Sequence, residues 1–151
     1  MDQYNRILFV CESGTARAPM AEGILKDFVL KNPVDVESRG LVVLFPEPIN
    51  QKAEAILISN GVPLSDFTSV QLTEEDFKPD TLILTMEYIQ KEKILEKYEH
   101  VIPENVHVLT ELVGDELEIL DPYGGSLQSY GLCYETMRKS IQKLVNLLNE
   151  E

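Results

Sequence analysis

Short apolar runs rich in β-forming residues alternate along this chain with stretches whose apolar residues recur at the helical period. That alternation is the pattern of a parallel sheet covered by helices, because parallel neighbours need a crossover segment between them and their strands are buried on both faces. The fold class it predicts is α/β. Arg6 to Val10 reads as the first strand, apolar almost throughout, as suits a central position. From about Ala18 to Leu30 the pattern turns helical: Pro19 falls in the first turn, where proline is tolerated, and Met20, Ile24, Leu25 and Phe28 share a face. "PVDVESRG" reads as a second strand, residues 51 to 59 as a helix closed by Asn60 and Gly61, and Thr73 with Glu75 and Asp76 as the start of a short helix. "TLILTM" at 81 to 86 is a third strand, Glu87 to Tyr98 a charged surface helix, and "VHVLTEL" a fourth strand. A final helix near Ser129 to Leu148 has Met137, Ile141, Leu144, Val145 and Leu148 on one side. The prolines of "LVVLFPEPIN" and the turn residues of "DPYGG" at 121 to 125 mark loops.

With 151 residues, 44% of them hydrophobic, the chain suits one compact domain over residues 1–151. The formal charge of -13 repels a phosphodiester backbone, so nucleic acid is not an expected partner. "MDQYNRILFV" lacks the basic and apolar regions of a secretory signal, and no apolar run approaches the roughly 20 residues of a membrane span. The expectation is a cytoplasmic protein that does not engage a membrane. Cys11 and Cys133 are too few for a disulfide framework, and no cysteine or histidine cluster has zinc-ligand spacing.

The chemistry concentrates where strand one meets helix one. In open α/β sheets, ligands bind beyond the carboxyl ends of strands beside helix N-termini, and Cys11 to Arg17 occupies that place. Backbone N–H groups turned inward there form a cradle for phosphate. The same amides, the helix dipole and Arg17 favour a thiolate, which predicts a Cys11 pKa below the usual ~8.5 and a nucleophile at neutral pH. The planar fork of Arg17 can hold two phosphoryl oxygens. Gly14 gives the loop backbone freedom, and the small Ser13, Thr15 and Ala16 leave the cradle open. Read alone, Cys11 is also compatible with a core cysteine ending a strand.

A cysteine that attacks phosphorus must expel its leaving group, and a basic leaving group needs a proton donor. Asp121 is the candidate. Pro122 biases it toward extended backbone, and Tyr123, Gly124 and Gly125 form a turn able to carry it over the first loop. The same carboxylate can then activate water. An ordinary Asp-Pro turn is the alternative.

Cys11 and Arg17 with five residues between them, the following "APMAEG" and the distant "DPYGGS" together resemble the low-molecular-weight protein tyrosine phosphatases, over essentially the whole chain. The resemblance implies a three-layer α/β/α domain with a four-stranded parallel sheet, the phosphatase I-like fold. It also implies Cys11 as nucleophile, Arg17 as phosphate clamp, Asp121 as acid then base, and no metal or organic cofactor. Residues Glu12 to Arg17 would then hold phosphate or a similar oxyanion, with a phosphorylated protein or peptide as substrate. This chain departs from the pattern at Gly14, commonly Asn; at Ala16, often a second cysteine able to protect the nucleophile; and at Ala18, usually a serine that donates to the thiolate. Ala18 predicts a less stabilised thiolate and slower turnover, and Ala16 removes the protective disulfide. Cys133 reads as core rather than as a resolving partner. Glu12 is unexpected beside a site for a dianion.

Two details resemble the bacterial protein arginine phosphatases: Thr15, and the doubled glycine of "DPYGGS". The hydroxyl of Thr15 favours a polar phosphoguanidinium over a phenyl ring, and Glu12 is placed to attract its charge. Tyrosine-type activity is the first reading and phosphoarginine the second. Tyr123 on one side and Leu44 and Phe45 on the other are candidate cleft walls, with core packing the alternative for Phe45. Other classes stay open. A phosphocysteine carrier would need neither Arg17 nor Asp121, and a non-catalytic phosphoprotein-binding module is compatible with Ala18 and Glu12. Arsenate reductases, which use two further cysteines, fit poorly.

Overall fold

The computed structural model describes residues 3–150; Met1, Asp2 and Glu151, which the single-domain expectation includes, lie outside them. Four parallel strands form one sheet: β1 (Arg6–Cys11), β2 (Asp35–Gly40), β3 (Thr81–Thr85) and β4 (Val106–Val108), in the order β2-β1-β3-β4. The α/β class and the four-stranded parallel sheet are as expected. Among the described residues five α-helices accompany it: α1 (Arg17–Lys26), α2 (Gln51–Ser59), α3 (Tyr88–Lys97), α4 (Leu109–Leu112) and α5 (Leu127–Leu148), and the short helix expected after Thr73 is a single 3-10 turn, Glu74–Asp76.

Alternation along β1 divides the interior. Ile7, Phe9 and Cys11 join α1, α2 and α5 in the larger apolar cluster, whereas Leu8 and Val10 pack with Ile83, Ile94 and Tyr98 on the α3 side. The chain order reverses between β1 and β3, which puts the carboxyl end of β1 at a topological switch point, where a crevice opens. Tyr130 and Tyr134 of α5 are buried in the larger cluster, so both are core residues.

Three elements depart from the sequence reading in ways that tertiary contacts explain. Helix α1 stops at Lys26, before Leu30, because the chain turns toward the end of α5; there Lys31 N donates to Asn149 Oδ1 at 2.9 Å and Arg138 lies 4.9 Å from the Phe28 ring centroid. "VHVLTEL" is strand only to Val108 and then coils into α4, whose Leu109 and Thr110 are buried. Helix α3 begins at Tyr88 with Glu87 as its N-cap, and its Gln90 and Ile94 are buried, so it is less a surface helix than its charges suggest.

Candidate active site

Cys11 ends β1 with 2% of its surface exposed, and its Sγ accepts from Ala18 N at 3.4 Å. The amides of Gly14 and Ala16 also hydrogen-bond to this sulfur. Residues 11–18 therefore wrap an arc of donors around one thiol. The turn depends on Gly14, whose φ is +71°; a Cβ there would stand 2.9 Å from Gly40 N. Gly40 is tight from the other side, since its own Cβ would lie 2.7 Å from Ser13 O. Two glycines thus let the loop rest directly on the end of β2. Ser13 and Thr15 share a hydrogen between their hydroxyls at 2.8 Å, with Thr15 half-buried.

Burial reverses one expectation. Desolvation pushes the Cys11 thiol above its ordinary value, against the opposing pull of the Ala18 amide, the Arg17 charge and the Gly14 and Ala16 amides. Arg17 lowers it less than the Ala18 amide does, and the guanidinium is itself paired with a carboxylate. Its Nη1 donates to Glu87 Oε2 at 2.6 Å and to Ile119 O at 2.7 Å, and the side chain is 3% exposed. The other terminal nitrogen, Nη2, stands 3.9 Å from Asp121 Oδ2. Cysteine loop, arginine and aspartate, separated by more than a hundred residues, meet in one place.

Asp121 is about half exposed, and its Oδ1 accepts from Tyr123 N at 3.0 Å, closing the Asp-Pro turn on itself. The proline-rich segment 41–50 lies alongside because both its ends are bonded to the loop that follows β1: Leu41 N to Cys11 O, Val42 N to Glu12 O and Asn50 N to Thr15 O. Between those anchors Leu44 is 88% and Phe45 65% exposed. Core packing for Phe45 is thereby excluded. Tyr123 is 81% exposed on the aspartate's loop.

The Glu12 carboxylate, unexpected in the sequence reading beside a site for a dianion, meets Lys93 of α3 at 3.4 Å. This partner offsets both its repulsion of a dianion and its attraction for a guanidinium. Cys133 is partly buried against the larger cluster, and burial pushes its thiol up to about 11. Among the described residues no group of three or more His, Cys, Asp or Glu side chains could hold a metal ion.

Sequence reasoning missed Glu87, Asn50 and Gly40. For Asn50 a signal existed, an N-cap residue two positions after a proline. Glu87 is also legible as a cap, since Gln90 follows three residues later and accepts from Glu87 N at 3.0 Å. Nothing local announces its partnership with Arg17.

Comparison with known proteins bears on the same architecture. The chain is similar to the low molecular weight protein-tyrosine-phosphatase PtpB of Staphylococcus aureus, 35% identical over 143 residues that cover 95% of this chain and 99% of the relative. Its fold superposes on a low molecular weight protein tyrosine phosphatase from T. tengcongensis with a TM-score of 0.88, at 33% identity over 95% of this chain and 99% of the other. A YwlE arginine phosphatase with a phosphorylated active-site serine also gives 0.88, at 28% identity over 97% of each chain. The family described as low molecular weight phosphotyrosine protein phosphatase matches residues 6–151, a span that includes both the cysteine loop and the distant aspartate. With the sheet order, that match makes the chain a member of the low-molecular-weight protein tyrosine phosphatase family.

Proposed function

We propose that this chain, acting as one domain over residues 1–151, hydrolyses phosphotyrosine in proteins through a phosphocysteine. The reading is carried by one observation: a thiol ringed by amides, with Arg17 beside it and Asp121 Oδ2 3.9 Å from Arg17 Nη2. The substrate phosphoryl group sits against the amides of residues 12–17 and the free edge of Arg17, which stabilise the charge spreading over its oxygens during transfer. Cys11 Sγ forms the S–P bond as the ester P–O bond breaks, and the Asp121 carboxyl gives its proton to the departing oxygen. Asp121, now a carboxylate, takes a proton from water; the water oxygen attacks phosphorus, the S–P bond breaks and phosphate leaves.

A thiol held protonated by burial fits this scheme. A thiol with a phosphate dianion carries the same protons as a thiolate with a monoanion, so the complex reaches the reactive form by moving one proton within the site. Glu87 keeps Arg17 in place for that complex, at the cost of a weaker pull on the empty-site thiol. A phosphocysteine carrier has no use for the Arg17–Asp121 juxtaposition, and a mere binding module none for the buried sulfur.

Phosphoarginine is the second reading. It is favoured by the half-buried Thr15 and by the similarity to arginine phosphatases, and weakened by the pairing of Glu12 with Lys93. Purified protein assayed in parallel on phosphotyrosine and phosphoarginine peptides separates them, with Thr15→Ile as a third arm. The tyrosine reading expects higher kcat/KM on phosphotyrosine; the reverse order overturns it. We place the reaction in the cytoplasm because a thiol nucleophile without a neighbouring cysteine needs reducing surroundings. No described helix is long and apolar enough to cross a membrane.

A further inference from the structure

The start of α2 touches three parts of the site. Asn50 N donates to Thr15 O at 2.9 Å, its side chain caps the helix by accepting from Lys52 N and Ala53 N, and it also hydrogen-bonds the Tyr130 side chain at the start of α5. Two residues on, the exposed Lys52 extends toward the aspartate's loop. Its Nζ donates to Gly125 O and stands 5.9 Å from the centroid of the Tyr130 ring. Gly125 closes the turn that Pro122 opens, its N–H donating to Pro122 O at 2.8 Å. That bond, and the one from Tyr123 N to Asp121 Oδ1, are internal to the loop. The ammonium instead ties the loop's far end to a helix whose cap is bonded to the phosphate loop. An ammonium-to-carbonyl hydrogen bond is charge-assisted, and the ring adds a cation–π contribution.

We propose that Lys52 is a positioning residue for the general acid: it holds the 121–126 turn at a fixed distance from the phosphate loop so that Asp121 meets the leaving-group oxygen. This rests on Asp121 acting as the acid. Lys52 itself is exposed, so its removal should leave the core intact. Losing its charge would weaken binding of every phosphate ester alike, whereas misplacing Asp121 penalises only esters whose leaving group needs a proton. The dependence on leaving-group basicity separates the two effects.

The experiment measures kcat/KM, which reports the steps up to leaving-group departure, over aryl phosphates of graded leaving-group pKa. It compares the wild type with Lys52→Met, Lys52→Arg and Asp121→Ala, and inorganic phosphate serves as competitive inhibitor in each. Positioned proton transfer contributes about 10²–10⁴-fold, so partial misplacement should cost Lys52→Met about tenfold on phenyl phosphate and less than about threefold on p-nitrophenyl phosphate. Lys52→Arg should restore most of the loss, with phosphate inhibition unchanged in both Lys52 variants. An Asp121→Ala series that is not steeper than wild type overturns the acid assignment itself. A steep Asp121→Ala series beside a Lys52→Met series parallel to wild type leaves that assignment standing and overturns the positioning role. If Lys52→Met does not fold, Lys52→Gln is read by the same criterion.

Discussion

Replacing Ala18 with serine tests how far the burial of Cys11 governs its ionisation. Ala18 is fully buried, and its amide already donates to the sulfur at 3.4 Å. A hydroxyl on its Cβ adds a fourth donor to those of Gly14, Ala16 and Ala18 itself. A hydrogen bond to a charged acceptor contributes about 1.5–3 kcal/mol, and 1.36 kcal/mol corresponds to one pKa unit. The thiol should therefore fall by about one to two units. The added oxygen also crowds a closed site, at roughly 1 kcal/mol of fold stability. The assay is the pH dependence of iodoacetamide alkylation in a Cys133→Ser background, so that only Cys11 reports. The midpoint should drop, and the rate at pH 7 should rise about three- to tenfold after allowing for the lower intrinsic nucleophilicity of a more acidic thiol. A midpoint within about 0.3 unit of the parent would refute the reasoning that one further donor at position 18 offsets part of the desolvation that raises the Cys11 thiol.

Glu87→Gln should lower the Cys11 midpoint by exposing the Arg17 charge, yet raise the inhibition constant of phosphate as the guanidinium loses its anchor; losing a charged hydrogen bond should cost about 2 kcal/mol in urea unfolding. Gly14→Ala meets a left-handed backbone and the Gly40 amide together, costing about 2–5 kcal/mol, which a thermal melt reads as a fall of about 5–15 °C. Thr15→Ile should shift kcat/KM toward phosphotyrosine over phosphoarginine; an unchanged ratio removes Thr15 as a determinant. The Cys133 thiol titrates higher when folded, about 11, than when unfolded, about 8.5. The unfolded chain releases its proton first, so stability falls as pH rises from roughly 8.5 toward 11. Cys133→Ser should flatten that fall in urea melts at pH 7.5 and 10.

Much of this was readable without coordinates. Leu8, Phe9 and Val10 announce a strand buried on both faces, and Pro19 with Met20 and Ile24 a helix that starts at once. Two such elements in succession allow few joints, so the loop from Cys11 to Arg17 followed. Boundaries were less legible where remote contacts set them, as at Phe28 and Leu30, where the chain bends to meet Asn149, and at Leu109, where an edge strand coils into a helix. The exposure of Phe45 was undecidable from its proline-flanked loop, because the backbone bonds at residues 41, 42 and 50 that arch it outward are tertiary.

The order of strands and helices, the cysteine–arginine loop and the distant Asp-Pro turn belong to the sequence, because periodicity, backbone freedom and turn chemistry act over a few residues. The tertiary structure alone decided that Glu87 holds Arg17, that Lys93 meets Glu12, that Lys52 reaches Gly125 and that the Cys11 thiol is pushed up rather than down. Charge pairing and desolvation depend on what the fold brings within a few ångströms, and no spacing along the chain encodes that distance.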